Sequence, residues 1–186
     1  MRVISGLYKG RLLKLPKGLE IRPTQDRIKE SMFEIIKPYL MDSDVLELFA
    51  GTGALGIEAL SRGAKSATFV ERDPLCLKTI EENLDSLGIR VPEASIVRLD
   101  IYKAVQRFAD SGDKFGVIIA DPPYGMDHIR KLLIKLNTYD ILKKPHLVVI
   151  EHTKREDIPK IEGSIILLKQ YKYRDTILSI LKKDVK

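Results

Sequence analysis

Two residue types that often organise small proteins are nearly missing. The chain of 186 residues has one cysteine, Cys76, and no tryptophan. A single thiol cannot close an internal disulfide or furnish a cysteine-based zinc site, and the three histidines stand far apart, so no metal is expected. No apolar run approaches the roughly 20 residues of a membrane helix. The start, Met1-Arg2-Val3-Ile4-Ser5-Gly6, lacks the apolar stretch and cleavage site of a secretion signal. A cytoplasmic location without membrane contact is therefore expected. Repeats and low-complexity segments are absent as well. Hydrophobic residues make up 44% and charged residues 31%, which excludes intrinsic disorder. The length suits one domain of about 150 residues with a small appendage.

Positive charge is in surplus, with a formal net charge of +6, and its distribution is uneven. Residues 1–40 carry nine Lys and Arg against four Asp and Glu, whereas the rest carries 23 against 22. A neutral body with a basic front suits a polyanionic partner, most simply nucleic acid, although a solvated charged face would look the same.

From Asp44 onward the pattern alternates strand and helix. Strands are predicted at 45–49, 66–71, 94–99, 115–120 and 147–151. Helices are predicted at 54–62, from Asp73 to Gly88, at 101–109, and around Ile129, Leu132, Leu133 and Leu136. Ile165 to Tyr173 and Thr176 to Leu181, separated by Arg174-Asp175, read as a closing hairpin. Repeated strand–helix units require a mostly parallel sheet with helices on both faces, here with an antiparallel strand near the C-terminus. In residues 1–40, Arg2-Val3-Ile4 and Arg11 to Leu15 suit a short hairpin, and Thr24 caps a helix with Ile28, Met32, Ile35, Ile36 and Leu40 on one stripe. The expected division is a basic extension over 1–40, docked on a main domain over 41–186.

Three motifs carry chemistry. Glu47-Leu48-Phe49-Ala50-Gly51-Thr52-Gly53-Ala54-Leu55-Gly56 places Gly-x-Gly-x-x-Gly between a strand and a helix, with Glu71 twenty positions after Gly51. Glycines permit a tight turn and close approach of a ligand, and an acid ending the second strand can accept both ribose hydroxyls. Alone, this pattern also fits a dinucleotide site. Glu47, ahead of the glycines, suits an ammonium or an ordered water, and the chain lacks room for a second mononucleotide half. Asp100, ending the third strand, can accept from an adenine amino group while Ile101 covers the ring, and it can equally cap the next helix.

Asp121-Pro122-Pro123-Tyr124 ends the fourth strand, where open parallel sheets collect ligands. The Asp121 carboxylate and the Pro122 carbonyl can receive both hydrogens of one exocyclic amine, and Tyr124 offers a stacking face for a flipped base. Such an amine is a poor nucleophile because its lone pair is delocalised into the ring. Two acceptors holding its hydrogens aim that lone pair at an electrophilic methyl.

Together these motifs resemble a class I S-adenosylmethionine-dependent methyltransferase acting on an amino group, with a Rossmann-like α/β sheet. Arg2-Val3-Ile4-Ser5-Gly6, Lys9-Gly10-Arg11, Ile21-Arg22-Pro23-Thr24-x-Asp26-Arg27 and Glu30-Ser31-Met32-Phe33, with Leu48 to Arg62, resemble the bacterial small-subunit ribosomal RNA guanine-N2 methyltransferase family. The resemblance covers nearly the whole chain, although many relatives read Phe where this chain has Tyr124. It implies cofactor contacts at Glu47, Phe49, Gly51, Gly53, Glu71, Asp100 and Ile101, with Thr24 closing over the same pocket. It implies that Asp121, Pro122 and Tyr124 hold the guanine, and that Arg2, Lys9, Arg11, Arg22 and Arg27 hold 16S ribosomal RNA or an assembling small subunit. The rival readings are a DNA adenine-N6 methyltransferase, a non-catalytic RNA-binding assembly factor and a protein-glutamine methyltransferase. Cys76 reads as a core filler, His152 as an ordinary strand-end residue, and Tyr171 and Tyr173 as strand residues facing one side. A monomer is expected because no spare apolar face is visible.

Overall fold

Residues 1–16, 24–123, 125, 127–160 and 163–184 are described by a computed structural model. The helices are α1 (Thr24–Leu40), α2 (Ala54–Ser61), α3 (Pro74–Leu87), α4 (Ile101–Ser111) and α5 (His128–Thr138). The strands are β1 (Asp44–Leu48), β2 (Ser66–Glu71), β3 (Ala94–Arg98), β4 (Phe115–Ala120), β5 (Leu142–Thr153), β6 (Ile165–Tyr173) and β7 (Thr176–Lys183). These strands form one sheet in the order β3-β2-β1-β4-β5-β7-β6. β1 to β5 pair in parallel, and β7 pairs antiparallel with both β5 and β6.

Alternation along each strand sorts the core into two faces. Leu46, Leu48, Ile118, Ala120, Val148 and Ile150 face α4 and α5. Val45, Val117, Ile119, Leu147 and Val149 face Ile28, Met32, Phe33, Ile36 and Leu40 of α1. Farther along that side, Phe69 packs with Ile57 of α2 and Ile80 and Leu84 of α3. Local chemistry sets the helix ends. Asp73 accepts from the backbone N–H of Leu75 and Cys76, and Gly88 takes the left-handed conformation after α3. Asp100 caps α4 through Tyr102 N–H.

Several expectations needed correction. β5 begins at Leu142, not Leu147, because the ladder skips from Phe115–Leu142 to Val117–Leu147. The residues between bulge out around Pro145, which has no N–H for a ladder. The short N-terminal hairpin is present as expected: around the Arg2–Leu12 bridge, Val3 N–H reaches Arg11 O at 3.0 Å, Gly10 N–H reaches Val3 O at 2.9 Å and Leu13 N–H reaches Met1 O at 2.9 Å. The donors of its turn reach α2 as well: Ile4 and Ser5 N–H meet the Glu58 carboxylate at 2.8 and 3.0 Å, and Leu7 N–H meets Ser61 O at 2.7 Å. Gly6 permits this contact, since a Cβ there would sit 1.7 Å from Ser61 O on a backbone with φ +83°. The outer strand β6 exposes Ile166, Leu167 and Leu168, an apolar run where none is expected from the sequence. Among the described residues, no helix is long and apolar enough to cross a membrane.

Candidate active site

The strand order reverses direction between β1 and β4, and a cleft opens outside their carboxyl ends. Its larger compartment, about 520 Å³, is lined by Phe49, Gly51, Val70, Glu71, Arg72, Leu99, Asp100, Ile101, Asp121, Pro122 and His128, among others. A smaller one, about 140 Å³, is lined by Lys29, Glu47, Phe49, Gly51, Asp121 and Glu151, among others. The shared residues Phe49, Gly51 and Asp121 make them neighbours.

The glycine loop is held from two sides. Phe49 leaves β1 with φ +60°, in the left-handed region that a bulky residue seldom occupies, and Gly51 and Gly53 follow at +55° and +74°. Glu71 Oε2 accepts Gly51 N–H at 2.9 Å, while its Oε1 accepts Arg72 and Asp73 N–H at 2.7 and 2.9 Å. That fixes the carboxylate at the cleft wall. Glu47 is almost fully buried, and its two oxygens accept Leu55 N–H at 3.2 Å and Gly56 N–H at 2.8 Å. It thus caps α2 from the neighbouring strand, because Gly53 at the N-cap has no side chain to do so. Gly56 makes the approach possible: a Cβ there would stand 2.8 Å from Glu47 Oε2 and 2.4 Å from the Phe69 ring.

Burial pushes the Glu47 carboxyl up to about 8, with the charges of Asp121 and Glu71 adding to the rise and the two N–H bonds opposing it. Asp121 keeps solvent contact through the cleft mouth, yet crowding by protein raises its carboxyl to about 6. The half-buried Glu151, at the end of β5, is raised to about 8 by lost solvent and the charge of Asp121. Three carboxyls on neighbouring strands β1, β4 and β5 thus surround a space that favours donors or a cation.

At the other end, Asp100 borders the cleft with Arg72 Nη1 3.6 Å from its carboxylate. Ile101, Leu99 and Val70 give that end an apolar lining. Tyr102 Oη lies 2.7 Å from His128 Nδ1, and the His128 ring meets the edge of Phe49 at 5.5 Å between centroids. These contacts tie the start of α5 to the end of the cleft that Asp100 borders.

Of the expected site residues, the cleft gathers Glu47, Phe49, Gly51, Glu71, Asp100, Ile101, Asp121 and Pro122. Gly53 shapes the loop from behind: a Cβ there would press on Phe69 and Ile80. Tyr124 and Arg22 lie outside the described residues, as does the side chain of Thr24. Arg2, Lys9 and Arg27 share an open depression with Asp26 and Glu30. Arg11 does not join them, since its guanidinium donates to Ser86 O at 2.8 Å.

Cys76 is a correction: it sits half-buried at the cleft rim, not in the core, and its thiol is pushed up to about 11 by burial and the charges of Glu71 and Asp73. His152 is buried and bonded to Ser179 at 2.7 Å. Tyr171 and Tyr173 both pack toward the α1 side of the sheet.

Sequence reasoning did not find Lys29, Glu58, Glu151 or the Tyr102–His128 pair. Lys29 is buried on α1, donates to Arg2 O at 2.6 Å and stands 3.5 Å from Glu58. Burial lowers its pKa, and Glu58 opposes that fall. Only the polar residue inside the apolar stripe of α1 hinted at it.

A family model described as conserved hypothetical protein 95 matches residues 1–182. The chain belongs to this family. Within reach of it, YlbH of Bacillus subtilis, provisionally named an rRNA methyltransferase, is 39% identical over 183 residues, covering 98% of this chain and 99% of its own. Ribosomal RNA small subunit methyltransferase D of Haemophilus influenzae is 35% identical over 157 residues, covering 83% and 79%. Among solved structures, yhhF of Escherichia coli, provisionally named a methyltransferase, superposes with a TM-score of 0.87 at 28% identity, over 100% of this chain and 99% of that one. The family member described here therefore has the class I methyltransferase fold: a Rossmann-like seven-stranded sheet, parallel except at its C-terminal strands.

Proposed function

We propose that this protein transfers a methyl group from S-adenosylmethionine to the exocyclic N2 of a guanine in 16S ribosomal RNA. The observation that carries the reading is the meeting of two half-sites at one cleft. Glu47, Gly51, Glu71 and Asp100 line it from β1, β2 and β3, and Asp121-Pro122 enters from β4. The names of the relatives, rRNA methyltransferase and small-subunit methyltransferase D, support ribosomal RNA as the substrate.

The residues present fit the cofactor. A cleft of about 520 Å³ lies within the roughly 300–1,000 Å³ of small-ligand sites. The acceptors are spaced by three strand ends: Glu71 for the ribose hydroxyls and Asp100 for the adenine amine in this compartment, and Glu47 for the ammonium of the methionine end in the smaller one beside it. Val70, Leu99 and Ile101 offer the base an apolar wall. When bound, S-adenosylmethionine supplies an electrophilic methyl carried on a cationic sulfur.

Asp121 and the Pro122 carbonyl take the two amine hydrogens and turn the nitrogen lone pair toward that carbon. Pro122 and Pro123 stiffen the loop that holds this geometry, so positioning provides most of the rate. The carboxyl of Asp121, raised to about 6, can accept the proton that the amine sheds after transfer. The basic extension over residues 1–40 holds phosphates through Arg2, Lys9 and Arg27, which supplies affinity but no base specificity.

The test is incubation with methyl-labelled cofactor and, separately, small ribosomal subunits, naked 16S RNA, DNA and protein, followed by mass spectrometry of the product. N2-methylguanosine in 16S RNA is expected. N6-methyladenine in DNA, methylglutamine in protein, or binding without transfer would each replace the reading with a rival.

A further inference from the structure

Glu151 has no part in the chemistry above, yet it stands beside Asp121. β4 and β5 are parallel neighbours with Ala120 opposite Ile150, so both carboxyls leave adjacent strands at the same level. They follow Ile119 and Val149 by two residues, and those side chains face α1, so both carboxyls fall on that face. Strands lie about 4.8 Å apart, a span one base edge can bridge. Both residues line the smaller compartment with Glu47 and Lys29. Among the described residues, none donates a hydrogen bond to either carboxyl. Two crowded acceptors without a donor among the described residues call for donors from a ligand.

Resting on the reading that Asp121 and Pro122 hold an N2 amine, we propose that Glu151 accepts the ring N1–H next to that amine and thereby selects guanine. Guanine alone among the four RNA bases carries a ring N–H adjacent to its exocyclic amine. In adenine and cytosine the neighbouring ring nitrogen is a bare acceptor, which would set a lone pair against a carboxyl oxygen. The discrimination belongs to the ionised carboxylate, which has no hydrogen to offer a bare nitrogen, whereas a protonated Glu151 could donate its O–H there; the preference should therefore grow as the pH rises through about 8. Discrimination then comes from a repulsive element as much as from an attractive one. Pro122 and Asp121 alone would hold any exocyclic amine.

The decisive substrate is 2,6-diaminopurine, which keeps the N2 amine of guanine but has a bare N1. Small subunits are reconstituted on 16S RNA ligated to carry it in place of the guanine that the wild-type protein methylates. At about pH 8.5, where Glu151 is mostly ionised, wild-type kcat/KM should favour guanine by about 100-fold or more, as polar sites do against analogues that lack a required donor. Glu151→Gln, whose amide can donate to a bare N1, should narrow that preference to about tenfold or less. Glu151→Ala should narrow it too, while slowing guanine methylation. Cofactor affinity, measured on each variant, should stay at the wild-type value and shows that the cleft is folded. Variants that keep the wild-type preference would overturn the assignment, as would a wild-type protein that accepts both bases equally. A wild-type protein that methylates no guanine amine at all brings down the underlying reading as well, and it does so before any substitution is made.

Discussion

Cofactor binding should tighten as the pH rises from 6 to 8, and Glu47 is the reason. Its carboxyl is almost fully buried and held up to about 8. In the cofactor-free cleft it is therefore mostly protonated at neutral pH, and an arriving ammonium must displace that proton. If only the ionised form binds, the apparent Kd scales as 1 + 10^(8−pH), or about 100 times its limit at pH 6, about 11 times at pH 7 and about twice at pH 8. The expected gain between pH 6 and 8 is about 50-fold. Above about pH 8 the α-amino group of the ligand loses its own charge, and the gain stops. Isothermal titration with S-adenosylhomocysteine at three pH values measures the slope. Repeating pH 7 in two buffers of different ionisation enthalpy counts the released proton, expected at about 0.9 per ligand. Glu47→Gln should bind more weakly and without this slope. Its amide also leaves one α2 N–H without an acceptor, which costs about 1 kcal/mol of stability. A wild-type Kd that is flat between pH 6 and 8, with no proton released, would refute the reasoning.

Other perturbations separate chemistry, folding and RNA affinity. Asp121→Ala should abolish turnover in a single-turnover assay while leaving cofactor affinity within about twofold, since the carboxyl accepts no hydrogen bond from the cofactor loop; a near-wild-type rate would remove Asp121 from the chemistry. Glu58→Ala leaves the buried Lys29 and the largely buried Arg62 without their shared carboxylate and frees Ile4 and Ser5 N–H, so it should cost about 3–5 kcal/mol in urea unfolding. A loss below about 1 kcal/mol would mean that the network does not hold the N-terminal segment in place. Replacing Arg2, Lys9 and Arg27 together with Gln should weaken RNA binding and lower the slope of log K against log salt by about 2 to 3, at about 0.7–0.9 per phosphate contact. An unchanged slope would place the RNA elsewhere on the surface.

Much of the architecture follows from local chemistry. Alternating apolar runs, Asp73 and Asp100 as caps, and glycines after helices are signals that act within a few residues, and the structure keeps each of them. The same holds for the cleft motifs, because a parallel sheet must bring its strand ends to one edge. Glu47, Glu71, Asp100 and Asp121 therefore share one edge as soon as the strands are parallel, and the order β3-β2-β1-β4 makes them neighbours. What pairs with what across the sheet is a different matter. That Glu151 stands beside Asp121 depends on the β4–β5 register, and although Pro145 marks a break in the ladder, only the pairing shows how many residues the bulge absorbs. Glu58, Lys29 and Arg62 lie far apart in sequence, yet they meet in the interior because the turn of the N-terminal hairpin docks on α2 and gives Ile4 and Ser5 N–H to Glu58. The displacement of Cys76 from core to cleft rim has the same origin: helical spacing says which stripe is apolar, and only the packed neighbours decide where that stripe ends. Sequence alone determined the order of elements and the chemistry at the strand ends. Tertiary structure decided which charges are buried together, because burial depends on contacts between segments whose separation along the chain carries no local signal.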